Sequence, residues 1–489
     1  MMVISLYSSR IVLQALGKSD YGLYSVVGGF IAMFFFISNS LSVATERFMA
    51  YAIGLRDNVL RKKVFSLSLA LYVIIALVIF ILGLVIGLPF VKYGLNIPEG
   101  RENAAIIVFI FSLLTAIISF LRIPYNAAII ANEKMGFYSW ISVFEAILKL
   151  LIIYLLLIVS FDKLESYAIF QMIATLFITI AYVIYCGYYF NDYTKNNIFD
   201  KKLIKKLGSF TGWNFYGGLA DMVMAQGLSL LFNLFFGTII NAAQAIANQI
   251  NAQISAFVNN INIASGPAFT KYYAEGNMIA VRNLLFTISK MNYYILLLLS
   301  LPIIFILPTI LDVWLGSNSY PENTIIFTRL ILIITLINTI PGAAQSVVFS
   351  SGEIKKYQFF VSGFKYFSFV TIFVLLEMGA PSENAYYILV ICAIPRVIYQ
   401  IIFSCKLISI NYFDYVKEVF LKEAFVTTVA VSLSYLAFMC LILMAGSSIM
   451  VNLTIGALIF LLTALVIYIY GINDIERIKV KIAVVKKFK

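Results

Sequence analysis

The sequence predicts an all-α polytopic membrane protein with about fourteen spans, and three observations predict it. Of 489 residues, 62% are hydrophobic and only 12% charged, too little charged surface for a soluble domain of this length. Apolar runs such as Val64–Phe90 and Val451–Ile472 recur from end to end, each reaching the ~20 residues a helix needs to cross ~30 Å of hydrocarbon. The runs are apolar all round rather than alternating, which selects helices over barrel strands, since lipid forces every backbone polar group to bond internally.

The predicted spans lie, in order, near 1–16, 21–46, 64–90, 104–130, 137–160, 166–190, 209–236, 241–269, 287–310, 323–350, 358–376, 384–405, 423–445 and 450–471. The first is short and its apolar run already includes Met1, so an incomplete first helix is expected. Arg10 interrupts that run and no small-residue cleavage motif follows, which argues against a cleaved signal peptide.

Charge then orients the spans. With the N-terminus in the cytoplasm, the inward loops and the tail carry 25 Lys and Arg, against 4 in the outward loops (Lys18, Lys92, Arg101 and Lys163). The positive-inside rule therefore gives both termini cytoplasmic. The net charge of +12 is accounted for by this pattern, so no nucleic-acid partner is expected.

The remaining chemistry excludes several classes. Cys186, Cys392, Cys405 and Cys440 lie in or beside apolar runs without paired spacing, so neither a disulfide nor zinc is expected. There is no histidine, which removes the usual general base and the commonest metal ligand. No Walker A sequence and no nucleophile triad occur. The reading is of a protein that is not an enzyme and needs no cofactor.

The chain repeats weakly. Ser42-Val-Ala-Thr-Glu-Arg-Phe, Tyr51 and Gly54 close the second span; Asn262-Ile-Ala-Ser-Gly-Pro-Ala-Phe, Tyr272 and Gly276 close the eighth. Ile123-Pro124 with Ala127-Ala128, Glu133-Lys134 and Tyr138 matches Ile340-Pro341 with Ala343-Ala344, Glu353, Lys355 and Tyr357. The expected organisation is a six-helix lobe over 1–195, a second over 196–410, and two further helices with a basic cytoplasmic tail over 411–489. Repeats with helix breaks at matching positions point to an alternating-access carrier. Pro124 and Pro341 are the expected breaks, since each removes a helix hydrogen bond; a mere packing kink is the other reading of each.

An ionisable side chain in a span costs about 2.5–3.5 kcal/mol on insertion scales and so usually faces a cavity or a partner. The candidates are Arg10, Arg122, Glu145, Lys149, Asp221, Arg329, Lys365 and Arg396. Six are positive, which suits an anionic substrate, and arginine suits phosphate through its planar fork. Arg10, Arg122, Arg396 and Lys149 are the substrate-binding candidates; Asp221 and Glu145 are the ion-coupling candidates. Structural alternatives stand beside these. Glu145 and Lys149 are spaced to pair on one helix, and Arg329 and Lys365 lie near enough to a membrane face to snorkel. Glu46-Arg47 reads as an inner gate or as an interfacial anchor. The eighth span carries Gln244, Asn248, Asn251, Asn259, Asn260 and Asn262 among other amides. Interhelical hydrogen bonding and a hydrated, sugar-compatible lumen are equal readings of that helix.

Several stretches together resemble a known family. They are Leu6-Tyr-Ser-Ser-Arg-Ile-Val-Leu-Gln-Ala-Leu-Gly17 with Asp20-Tyr-Gly-Leu-Tyr24, Val26-Val-Gly-Gly29, Ala44-Thr-Glu-Arg-Phe48, Arg122-Ile-Pro-Tyr-Asn-Ala-Ala128, Glu133-Lys-Met135, Asn241 to Asn251, Pro267 to Tyr272, and Val313-Trp-Leu-Gly316. The chain resembles the Wzx-type oligosaccharide flippases of the polysaccharide-biosynthesis branch of the MOP superfamily, which also holds the MATE drug exporters. The resemblance implies a MATE-like fold of two lobes around a central cavity. It further implies that O-antigen or capsule repeat units linked to undecaprenyl pyrophosphate cross the bacterial inner membrane by alternating access. A proton or sodium gradient would drive the cycle, with membrane lipid and other polysaccharide assembly proteins as partners. The first alternative is a MATE-type multidrug or cation antiporter, for which a more acidic cavity is expected. A membrane-embedded polysaccharide polymerase or glycosyltransferase is a second, against which stands the lack of a large outward loop. A scaffold for an assembly complex is a third.

Overall fold

The computed structural model describes residues 12, 16, 20, 24, 41–89, 91–92, 100–190, 201–236, 238–316, 320–445 and 448–472. Among these every regular element is helical. The chain divides into two compact units, Met1–Phe215 and Tyr216–Lys489.

The first unit contains α1 (41–54), α2 (Asn58–Leu82), α3 (Glu102–Ala131), α4 (Met135–Ile158), α5 (Lys163–Tyr189) and most of α6 (Lys201–Met222). Local sequence sets these boundaries. Asp57 caps α2 by accepting from the Leu60 amide at 2.9 Å, and Asp162 caps α5 by accepting from Leu164 and Glu165. The core is formed where α2, α3 and α5 meet, around Tyr72, Phe109, Leu113, Phe120 and Leu164. The opposite face of α2 leaves Ile74, Leu77 and Ile81 more than half exposed, as a lipid-facing helix requires.

One polar tie closes an end of this unit. Arg101, just before α3, pairs with both Asp20 and Asp162, its Nε reaching Asp20 Oδ1 at 3.0 Å. Residues 20, 101 and 162, well separated in sequence, therefore meet where α3 and α5 begin. The hydrogen bonds to Asp20 and Asp162 hold the Arg101 guanidinium further above its usual value. Burial alone would raise the Asp162 carboxyl. The bond from Arg101, with those from the Glu165 and Leu164 amides, outweighs that and holds it below the usual range.

The second unit continues through a π-helical turn (Val223–Gly227) into α7 (Leu228–Phe236), then α8 (Thr238–Ala274), α9 (Met278–Leu315), α10 (Asn323–Thr339), α11 (Ala344–Ser351), α12 (Ile354–Glu377), α13 (Asn384–Leu407), α14 (Tyr412–Tyr415), α15 (Leu421–Ala445) and α16 (Ile449–Val466). Phe232, Phe327 and Tyr386 stack where α7, α10 and α13 converge. The last two long helices pack on α9 through Tyr294, Leu301, Val426, Ala430, Ile455 and Ile459.

Ten described helices are long and apolar enough to span a membrane, or eleven when α10 and α11 count as one broken span. The protein is a multi-pass membrane protein. The difference from the expected fourteen has a physical source. Most of the first and of the second predicted span lies outside the described residues. The eighth is α8, which has 37 residues and length to spare, but its amides keep it out of the apolar set.

The two expected breaks behave differently. α10 and α11 are separated by residues 340–343 and bent by 47°, with Pro341 in the gap. At Pro124 there is no break, because α3 runs helically from Glu102 to Ala131. The neighbouring residue explains the contrast. Gly342 follows Pro341 with φ +52°, and a Cβ there would stand 2.3 Å from the Ser289 Cα. Tyr125 follows Pro124 and simply continues the helix. A proline alone kinks, whereas a proline followed by a left-handed glycine reverses the local winding.

Candidate functional site

Each unit collects ionisable side chains among its membrane helices. In the first unit Glu145 on α4 stands between two cations. Lys149 Nζ lies 2.9 Å from its Oε1, one turn along the same helix, and Arg122 of α3 lies 3.7 Å from its Oε2. The Arg122 guanidinium also sits 5.6 Å from the centre of the Tyr182 ring on α5, a cation–π distance. Sequence-predicted Arg122, Glu145 and Lys149 are thus one cluster with a formal excess of one positive charge.

In the second unit Asp221 of α6 pairs with Lys365 of α12 at 2.5 Å. Asp221 is two-thirds exposed, while the lysine is mostly buried, at 18%. Arg396 of α13 donates to Asn338 Oδ1 on α10 and interacts electrostatically with both Asp221 and Lys365. Again two cations surround one carboxylate. Small residues let α6 and the turn after it pack closely on α12: a Cβ at Gly217 would lie 2.5 Å from the Gln358 amide and one at Gly227 2.6 Å from the Phe369 ring. The π-helical turn begins two residues after Asp221, and such turns often mark functional sites.

Beside Asp221 lies a cavity of about 560 Å³, lined by α6 to α8, α10 and α13. Its polar groups are mainly amides and hydroxyls, among them Gln244, Asn248, Asn251, Thr335 and Asn338. Among the described residues, Asp221 is the only charged one lining it. The amides of α8 divide between the two readings made of them. Asn251 accepts from Thr335 at 2.8 Å and Asn262 accepts from Asn292 at 2.7 Å, which are interhelical bonds. Gln244, Asn248 and Asn251 also face the cavity.

Other candidates resolve differently. Arg10 lies outside the described residues. Lys365 is not a snorkelling lysine but the partner of Asp221. Arg329 donates its Nε–H to the Ile304 carbonyl at 3.2 Å. Glu46 accepts from Ser42 at 3.1 Å, and the Arg47 guanidinium lies among Phe48, Tyr51 and Phe210. Tyr386 and Asn338 went unnoticed in the sequence. A tyrosine and an asparagine inside apolar runs carry no signal until the opposing helix is known. No group of His, Cys, Asp and Glu among the described residues is arranged to hold a metal.

No protein-family profile and no curated protein matches the sequence. Solved structures do match the architecture. The crystal structure of MATE in the bent conformation aligns with a TM-score of 0.68 over 83% of this chain and 91% of that one, at 16% identity. The fold is the MATE fold. An outward-facing multidrug resistance MATE family transporter of the MOP superfamily aligns at TM-score 0.66 and 17% identity, over 83% of this chain and 92% of that one. A MOP superfamily transporter from Pyrococcus furiosus, for which reverse polarity of the binding pocket suggests a different function, aligns at TM-score 0.65 and 17% identity with the same coverage. At such identities the likeness carries the MATE fold and no residue roles.

Proposed function

We propose that this protein is a flippase that moves undecaprenyl-pyrophosphate-linked oligosaccharide repeat units across the bacterial inner membrane by ion-coupled alternating access. The observation that carries this reading is the charge of the two intramembrane clusters. Arg122 and Lys149 outnumber Glu145, and Lys365 and Arg396 outnumber Asp221. A pyrophosphate is the anionic group a membrane substrate brings into such a site, and arginine binds it through paired hydrogen bonds. The amide-lined cavity beside Asp221 suits the attached glycan. The MATE fold is compatible with this transport cycle.

In this proposal Asp221 and Glu145 take the coupling proton or sodium ion, Arg10 joins the cationic set, and Lys365 is added to it. Both termini are cytoplasmic, the lobes follow the two halves of the sequence, and other polysaccharide assembly proteins are partners. Membrane lipid surrounds the whole.

The test is genetic and biochemical. Deleting the gene should strand lipid-linked repeat units on the cytoplasmic leaflet, and the wild-type chain should restore export. Changing Arg10, Arg122 and Arg396 together to Gln should abolish flipping while membrane insertion stays normal. Normal surface-glycan export by that triple variant sinks the reading.

One observation favours a second reading, a cation or drug antiporter: among the described residues the only charged one lining the cavity is Asp221, a carboxylate. Deletion would then sensitise cells to cationic compounds and leave glycan export unchanged.

A further inference from the structure

Two side chains that line the cavity of the second unit carry polar atoms with no partner among the described residues. They are Gln244 Oε1 on α8 and Tyr386 Oη on α13. Gln244 is 2% exposed and Tyr386 is 1% exposed. Buried polar atoms in native proteins are nearly always satisfied, and an exception calls for a reason. Two exceptions on one cavity wall have a common reason if a ligand supplies the missing partners.

The rest of the wall says what kind of ligand. Asn251 has its carbonyl oxygen engaged by Thr335, and Asn338 has its own engaged by Arg396. With those oxygens engaged, the NH2 groups of Asn251 and Asn338 are left as the donors of each amide. Beside the polar side chains of Gln226, Ser229, Asn248 and Thr335, the wall therefore offers two amide donors, one amide acceptor and one phenol that can do either. Among the described residues no cation lines it, and the single charge there is negative. A ligand that both donates and accepts repeatedly, without net charge, matches this inventory. A carboxylated sugar would instead meet Asp221.

We infer that the cavity bounded by Gln244, Asn251, Asn338 and Tyr386 is a recognition subsite for an uncharged, hydroxyl- or acetamido-bearing sugar. At about 560 Å³ it falls within the range of small-ligand sites. The subsite deepens the glycan reading proposed above and rests on it for its biological role. In that reading Lys365 and Arg396 of the same unit would take the pyrophosphate and this wall the sugar.

The experiment is saturation-transfer NMR on the full chain in lipid nanodiscs, with N,N′-diacetylchitobiose, glucuronic acid and tetraphenylphosphonium as probes. Chitobiose should receive saturation through its acetamido methyls, and neither of the other probes should compete. Tyr386→Phe and Gln244→Leu should each weaken chitobiose binding about three- to tenfold, the effect of one hydrogen bond. Tyr386→Phe should at the same time raise the Tm of the empty protein, because it removes a buried hydroxyl that has no partner. A purely structural tyrosine would not move these two readouts in opposite directions. The inference is overturned by no chitobiose signal, by binding unchanged in both variants, or by preferred binding of glucuronic acid or tetraphenylphosphonium. Flipping of lipid-linked substrate in proteoliposomes separates the two levels. Flipping without chitobiose binding removes the subsite and leaves the flippase reading. Chitobiose binding lost in both variants, with no flipping by the wild type, removes the flippase reading and leaves the subsite.

Discussion

Arg329 donates its Nε–H to the carbonyl oxygen of Ile304 across the α9–α10 interface, at 3.2 Å. Ile304 lies four residues before Pro308, inside a helix that kinks at Ile306. Proline has no amide hydrogen, so the carbonyl one turn earlier loses its helical donor. In a membrane, water cannot replace it. The arginine supplies the missing donor, and that is what an intramembrane positive charge does at this position.

Arg329→Met should therefore leave the Ile304 carbonyl unpaired and destabilise the protein by about 1–3 kcal/mol. Adding Pro308→Ala should recover part of the loss, because alanine restores the helical donor. Thermal unfolding of the two single variants and the double variant in detergent measures the coupling. Strict additivity would rule out the pairing.

The Asp221–Lys365 pair should respond asymmetrically. Lys365 is mostly buried and Asp221 mostly open to the cavity. Asp221→Asn strands a buried cation, whereas Lys365→Met leaves a carboxylate that can still be hydrated. The first should cost about 1–3 kcal/mol, discounted for the exposure of the aspartate. The second should cost less, and the double variant should resemble Lys365→Met. Equal or reversed melting shifts would contradict the assigned burial of the two groups. If Asp221 also takes the coupling ion, Asp221→Asn weakens the dependence of transport on the gradient in proteoliposomes.

Gly342→Ala should be among the most damaging single changes in the second unit. Its φ of +52° disfavours any side chain, and the added Cβ would overlap the Ser289 backbone. The expected cost is about 2–4 kcal/mol from strain plus overpacking, read as reduced accumulation in membranes and a lower Tm. Pro341→Ala should be much milder, since the turn depends on the glycine.

The Arg101 clamp gives a pH test. Asp162 has its carboxyl held below its ordinary value of 3.8. A depressed folded-state value means that the stabilisation is complete above the ordinary value and is lost as pH falls through the lower folded one. Melting temperatures of wild type and Arg101→Gln should therefore differ by a constant amount at neutral pH and converge in strong acid. The difference should be modest, on the order of 1 kcal/mol, because the pair is partly exposed. A gap that widens on acidification would refute the clamp.

How far these relationships were visible in the sequence depends on their range. The helices, the polar character of α8 and the mid-helix position of Asp221 are local matters of composition, and the apolar runs displayed them. The pairing of Asp221 with Lys365 is not local. Lys365 lies near enough to a helix end that snorkelling explains it equally well until α12 is placed beside α6. Arg329 and Pro308 were both plain to see, but which carbonyl faces the arginine depends on how α10 crosses α9. Pro124 and Pro341 looked equivalent, and the difference lay in whether a glycine followed. Gln244 stood out among the amides of α8, whereas Tyr386 was hidden because a tyrosine in an apolar run is ordinary packing material.

The failure of α8 to qualify as an apolar span also has a consequence for biogenesis. Two of its amides, Asn262 and Asn251, bond to Asn292 on α9 and Thr335 on α10, and both helices leave the ribosome after it. When α8 reaches the insertion machinery, those two partners do not yet exist. Entry late, as part of a hairpin with the helices that follow, would spare the amides an unpaired passage. Truncation of the nascent chain between α8 and α9 should then leave α8 outside the hydrocarbon, even though the finished protein holds it among its neighbours.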